Sequence, residues 1–274
     1  MKTISIFSFV IAAALIFLLI PGCNKDNGVV QPANELAPIG NLRALSEDGS
    51  VLLIWDQSPF QSSTDFSIYR IIVTGASHRS GQDSTQLTSY TVPGLTNGTV
   101  DTFIVYTVRK DGALSQGVTI IWGPTVRFLH KRIWELDAPG PSGLEFSTGD
   151  TLHFTSTGSH NEQQRIDIWI DGHLGVDPLL KSPSATTLSN GWRTTKFAST
   201  AGSGLNQYYP IPDTSTFTTT GVPITNTNVY FALTQDGNMV RFVITNGIQG
   251  IAPNRYIDID FAYNSGVHLP WAKR

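Results

Sequence analysis

Two short stretches carry the side chains best suited to chemistry. "RIDIWIDG" sets Asp167, Trp169 and Asp171 at alternate positions, and "RYIDIDFAY" does the same for Asp258 and Asp260. Successive side chains of a strand point to opposite faces, so Ile166, Ile168 and Ile170 share one face while Trp169 shares the other with the aspartates. An indole flanked by carboxylates can stack on a sugar ring while the acids accept its hydroxyls. Asp258 and Asp260 would stand about 6.6 Å apart, near the carboxyl separation of an inverting glycosidase. Any Asp-x-Asp on a strand has that spacing, however, and outward charges also guard a sheet against edge pairing. Should the two strands be neighbours, the four carboxylates would also suit Ca²⁺, a hard ion that takes oxygen ligands. A competing reading buries Trp169 as the anchor of a covering segment, because large aromatics are mostly buried.

Other chemistry is hard to find. The chain of 274 residues has no G-x-S-x-G elbow, H-E-x-x-H helix, phosphate-cradling glycine loop, dinucleotide fingerprint or paired-cysteine metal site. Its histidines, among them His153, His160 and His173, follow no ligand spacing. A net charge of −3 provides no basic stripe for nucleic acid. The expectation is a binding protein without enzymatic activity.

The elements that position these residues are strands. Val, Ile, Thr, Tyr and Phe cluster in short runs bounded by Gly, Asn, Asp, Ser and Pro, and no helical period of any length follows residue 22, so the fold class is all-β. Residues 38–125 read as a Greek-key sandwich built from "VLLIWD", "DFSIYRIIVTG", "TSYTVPGL", "TFIVYTV" and "GVTIIW". Residues 126–274 read as a second, β-rich, ligand-binding domain of sandwich type, with a hairpin at Asp236-Gly237. Within it Ser182 to Asn228 is polar and nearly uncharged, which suggests a functional or mobile loop.

The amino terminus carries a different signal. Lys2, an apolar run from Ile4 to Ile20 and a sharp polar turn after Cys23 read as an export signal. Cys23 is the sole cysteine, and "LIPGC" resembles a bacterial lipobox, in which cleavage precedes an acylated cysteine. That resemblance implies a signal peptide at 1–22, lipidation at Cys23 and a tether at 23–37, with the membrane as a partner through the acyl chains. Asn24 stands where an aspartate would resemble an inner-membrane retention signal, and Lys25-Asp26 resembles the lysine-acidic export signal of surface lipoproteins; together they imply a lipoprotein of the outer membrane that faces the cell surface.

Two further resemblances bear on the folded part. Pro38, Leu42, Trp55, Tyr69 and "GLTNGT" before "TFIVYTV" resemble the fibronectin type III family, although Asp101 stands where that family places its corner tyrosine. The implied role is a spacer. "LEFSTG", "IDIWID", "TTKF", "YFALTQDGNMVRFVI" and "IDIDFAY" come in the order seen in haem-scavenging (HmuY-type) surface lipoproteins, whose haem-ligating residues have no counterpart here. Together these readings imply a lipid-anchored envelope protein whose second domain binds a glycan or a tetrapyrrole, with haem or Ca²⁺ as the cofactors to test. The alternative is a structural or adhesive surface component that binds envelope or matrix proteins.

Overall fold

The computed structural model describes residues 36–75, 81–154, 164–172, 177–186, 192–266 and 272–273. Cys23, the signal peptide and nearly all of the expected tether lie outside the described residues. Leu36 and Ala37, assigned to the tether by sequence, are already buried, and the Ser58 hydroxyl donates to the Ala37 carbonyl at 2.6 Å. The compact unit begins at Leu36.

The fold is all-β. The first sandwich sets a sheet of β1 (Gly40–Glu47), β2 (Ser50–Asp56) and β5 (Ser89–Pro93) against one of β3 (Phe66–Gly75), β4 (Gly81–Thr85), β6 (Asp101–Arg109) and β7 (Val118–Trp122). Strand order is β1-β2-β5 in one and β4-β3-β6-β7 in the other, all pairs antiparallel. The alternation expected of "TFIVYTV" holds, with Phe103 and Val105 inside. They pack with Val51, Leu53, Trp55, Tyr69 and Ile71, and Trp55 meets Tyr69 edge-on at 5.4 Å between ring centres. Asp101 is buried at the start of β6.

The second sandwich faces two five-stranded sheets. One orders β10-β9-β11-β12-β14, with β9 (Gly143–Leu144), β10 (Thr151–Leu152), β11 (Ile168–Asp171), β12 (Leu179–Lys181) and β14 (Val222–Pro223). The other orders β13-β15-β16-β17-β8, with β8 (Val126–Trp134), β13 (Lys196–Ala201), β15 (Asn228–Leu233), β16 (Met239–Ile244) and β17 (Tyr256–Tyr263). Between them lie Phe146, Ile168, Ile170, Phe242, Ile257, Ile259 and Phe261. The β15–β16 hairpin forms as expected, but its turn starts at Thr234, whose carbonyl accepts from the Gly237 N–H at 3.0 Å. Gly237 then follows at φ +82°, where a side chain would be strained.

Two details place the candidate site. Between Phe128 and Lys131 strand β8 bulges, so that Leu129 and His130 face the single residue Asp260 of β17. The other is the seam between sandwiches. Glu47's carbonyl accepts the Thr125 N–H at 3.0 Å, and the Ser46 hydroxyl donates to Gly123 at 2.7 Å. A Cβ on Gly123 would stand 2.0 Å from the Thr99 carbonyl, so this linker position requires glycine. Leu45 of β1 and Ala262 of β17 are fully buried together, beside Leu52, Tyr208 and Ile211. A last strand, β18 (Ala272–Lys273), pairs with β1. The two sandwiches therefore form one compact unit.

Candidate functional site

The acid-rimmed aromatic surface expected around Trp169 does not exist. Trp169 is 4% exposed, stacked on Phe154 at 4.5 Å between ring centres, with Ile166 and Trp192 in the same cluster. Its indole N–H donates to the Ser182 carbonyl at 3.2 Å. Both faces of β11 are covered, so alternation no longer separates inside from outside; Ile166 itself packs on the Trp169 side. The aspartates are also engaged. Asp167 accepts the Phe146 N–H at 2.9 Å and Arg193 Nε at 2.8 Å, while Asp171 pairs with Lys181. Burial raises the Asp167 pKa despite Arg193 and the Phe146 amide.

Asp258 and Asp260 lie in the opposite sheet, so the four carboxylates share no face. Arg132 grips Asp258 through two bonds, at 2.8 and 3.0 Å, and that hydrogen bonding holds the carboxyl below its usual range. Asp260 accepts the His130 amide at 2.7 Å, closing the bulge. His130 sits at φ +54°, a left-handed conformation that a residue other than glycine adopts here with its amide satisfied by that carboxylate. Among the described residues no group of three or more His, Cys, Asp or Glu could hold a metal ion. The Ca²⁺ expectation at Asp258 and Asp260 is thereby corrected: one oxygen pair is committed to Arg132 and the other carboxylate to the bulge.

A concavity lies on the outer face of the sheet that contains β8. It is a cleft of about 650 Å³ bounded by Arg127, Leu129, Asn206, Asn226, Thr245 and Asp260. Cross-strand register explains its floor. Arg127 of β8 pairs with Ala262 of β17, and Ala262 pairs in turn with Arg241 of β16, so both arginines rise from one face on either side of a small residue. Arg241 is fully buried, donates to the carbonyls of Gly204 at 2.7 Å and of Leu205, and lies 5.1 Å from the Tyr209 ring centre. It thus fastens the segment that walls the cleft. Burial, opposed by Tyr209 and reinforced by Arg127, pushes Arg241 down to about 9. Arg127 donates from Nη1 to Asn206 Oδ1 at 2.5 Å, and its Nε and Nη2 are buried without a hydrogen-bond partner among the described residues. Its pKa is lowered by burial, against the field of Glu47 and Asp48 across the seam.

The Ser182–Asn228 stretch, expected to be a functional or mobile loop, divides into parts. Residues 202–217 lie over the sheet's outer face, where Leu205, Phe217, Tyr209 and Ile211 pack with Phe231, Met239 and Val243. The sequence held a signal for the arginines: both stand in the tripeptide Val-Arg-Phe, at 126–128 and 240–242, and Phe128 and Phe242 face the core. Alternation then sends each arginine outward, onto a face that length and polarity alone did not reveal as covered.

No family model and no curated protein matches the chain. Among solved structures it is similar to the twitchin kinase region of C. elegans, at 11% identity and a TM-score of 0.27 over 84% of this chain. The chain spans 39% of that structure. No helix among the described residues is long and apolar enough to cross a membrane.

Proposed function

We propose that the protein is a lipid-anchored, non-enzymatic binding protein of the outer membrane, surface-facing, that takes a glycan in the cleft of its second sandwich. The cleft is the observation that carries this reading. Amides from Asn206, Gln207 and Asn226, hydroxyls from Ser203 and Thr245, and one acid line it beside the apolar Leu129 and Val243. Sugars present alternating hydroxyls and apolar C–H faces, which such a mixed wall matches. A tetrapyrrole calls for a broad apolar slot, which this lining suits less well. The lipobox resemblance at Cys23 supports the anchor. In the first sandwich the order β1-β2-β5 against β4-β3-β6-β7 supports the type III reading, in which β5 crosses over to pair with β2. That sandwich then acts as a buttress as well as a spacer, since Leu45 and Leu52 pack against Tyr208 and Ile211 beside the cleft wall.

A glycan array with residues 36–274, run beside a haemin titration followed by absorbance, tests the ligand. Saturable glycan binding is expected; haemin binding alone would transfer the reading to a tetrapyrrole. Silence in both, with an envelope protein co-purifying, would replace it with the structural or adhesive alternative. Cys23→Ser is expected to release the protein from membranes, and a variant that stays firmly bound would refute the anchor.

A further inference from the structure

We propose that the glycan taken by the cleft is an acidic one, its carboxylate lodging against Arg127 while its hydroxyls reach Asp260. This rests on the reading of the cleft as a glycan site and names the class of sugar. Arg127 lines the cleft with hydrogen-bonding capacity to spare, since Nε and Nη2 are buried without a partner among the described residues and Nη1 is held by Asn206. A guanidinium stays charged at neutral pH, and its planar fork matches a carboxylate through two parallel N–H···O bonds. Asn206 Oδ1 now occupies an acceptor position beside that fork. A neutral amide oxygen is a weaker acceptor there than a carboxylate oxygen, so a ligand acid gains by turning Asn206 aside.

The surroundings define a direction for the ligand. Arg241 is bound to the carbonyls of Gly204 and Leu205, which keeps the wall in place and puts a second positive charge near Arg127. Asp260 lines the same cleft and is tied to the His130 amide, so its carboxylate is fixed and able to accept hydroxyl protons. A cation and an acid in one cleft suit a ligand that carries an acid at one end and hydroxyls at the other. Glu47 and Asp48 favour the charged arginine from across the seam, and Nε and Nη2 keep no hydrogen-bond partner among the described residues.

The test uses residues 36–274, the compact unit. Calorimetry compares uronate oligosaccharides (galacturonate, glucuronate and mannuronate oligomers) with their carboxyl-reduced counterparts. The expected result is that one acidic series binds about 30-fold or more tightly than its reduced form, the effect of a desolvated charge pair. Rising salt should erode that preference. Arg127→Gln should abolish it, whereas Arg43→Gln, the same loss of charge in the first sandwich, should leave it intact. Should Arg127→Gln fail to fold, the salt dependence of the wild-type preference decides. Equal binding of acidic and reduced forms, or binding of neutral glycans alone, overturns the acidic inference and leaves the glycan reading standing. No binding to any saccharide overturns both.

Discussion

The tripeptide Ile-Asp-Ile occurs twice, at residues 166–168 leading into β11 and at 257–259 within β17. In both copies the aspartate meets an arginine, Asp167 with Arg193 and Asp258 with Arg132. Their environments differ. The Asp167 carboxylate is 1% exposed, and its partner also reaches Asp236. Arg132 remains 46% exposed and lies over the Tyr256 ring at 4.0 Å. Burial accordingly raises the Asp167 pKa, whereas the Arg132 hydrogen bonds lower that of Asp258. An ion pair has no intrinsic worth: solvent access to its members sets both the desolvation cost and the screening.

The strongest test of that contrast is the cover itself. Trp169→Ala removes the ring that packs with Phe154 and Trp192 near Asp167, and should cost about 3–5 kcal/mol, as other buried aromatic truncations do. Denaturant unfolding measures it; a loss below about 1 kcal/mol would mean that this face is open to solvent. Next come the two arginines. Arg193→Met strands a buried carboxylate and should cost about 3 kcal/mol, while Arg132→Met opens a pair whose arginine is solvent-exposed and should cost far less. Asp167→Asn in the Arg193→Met background should recover part of the loss. Equal costs for the two arginines would erase the distinction.

The smallest effect is on pH dependence, and it has opposite signs. With a folded pKa below the unfolded value of about 3.9, Asp258 contributes stability that is complete above that value and is lost as pH falls through the folded pKa. Asp167, with a raised folded pKa, carries a cost that sets in as pH rises from about 3.9 through that pKa. Carbon-detected NMR titration should place the Asp258 carboxyl below about 3.9 and that of Asp167 above it. The reverse order would show that Arg193 and the Phe146 amide outweigh burial.

The alternation in "RYIDIDFAY" was legible, and Ile257, Ile259, Phe261 and Tyr263 all face the core. The strand is covered on its other face only in part, so the pattern of period two survives in the sequence. For "RIDIWIDG" the same rule placed Trp169 on an open face, and it failed because Phe154 and Trp192 supply a second cover, as in the competing reading that buries Trp169. Arg127 and Arg241 were legible one at a time as arginines in apolar strands. Their pairing across Ala262 was not, since register joins residues more than a hundred positions apart.

Local chemistry in the chain determined the class of the fold and the inward faces of most strands, because alternation and turn residues act over a few positions. Which outward faces meet water was decided by tertiary structure alone. Segment 202–217 lies over one sheet, Phe154 and Trp192 cover part of the other, and the first sandwich packs against the cleft wall. The cost of an aspartate or arginine depends on that cover through solvation, a property of everything within several ångströms in space rather than of neighbours along the chain.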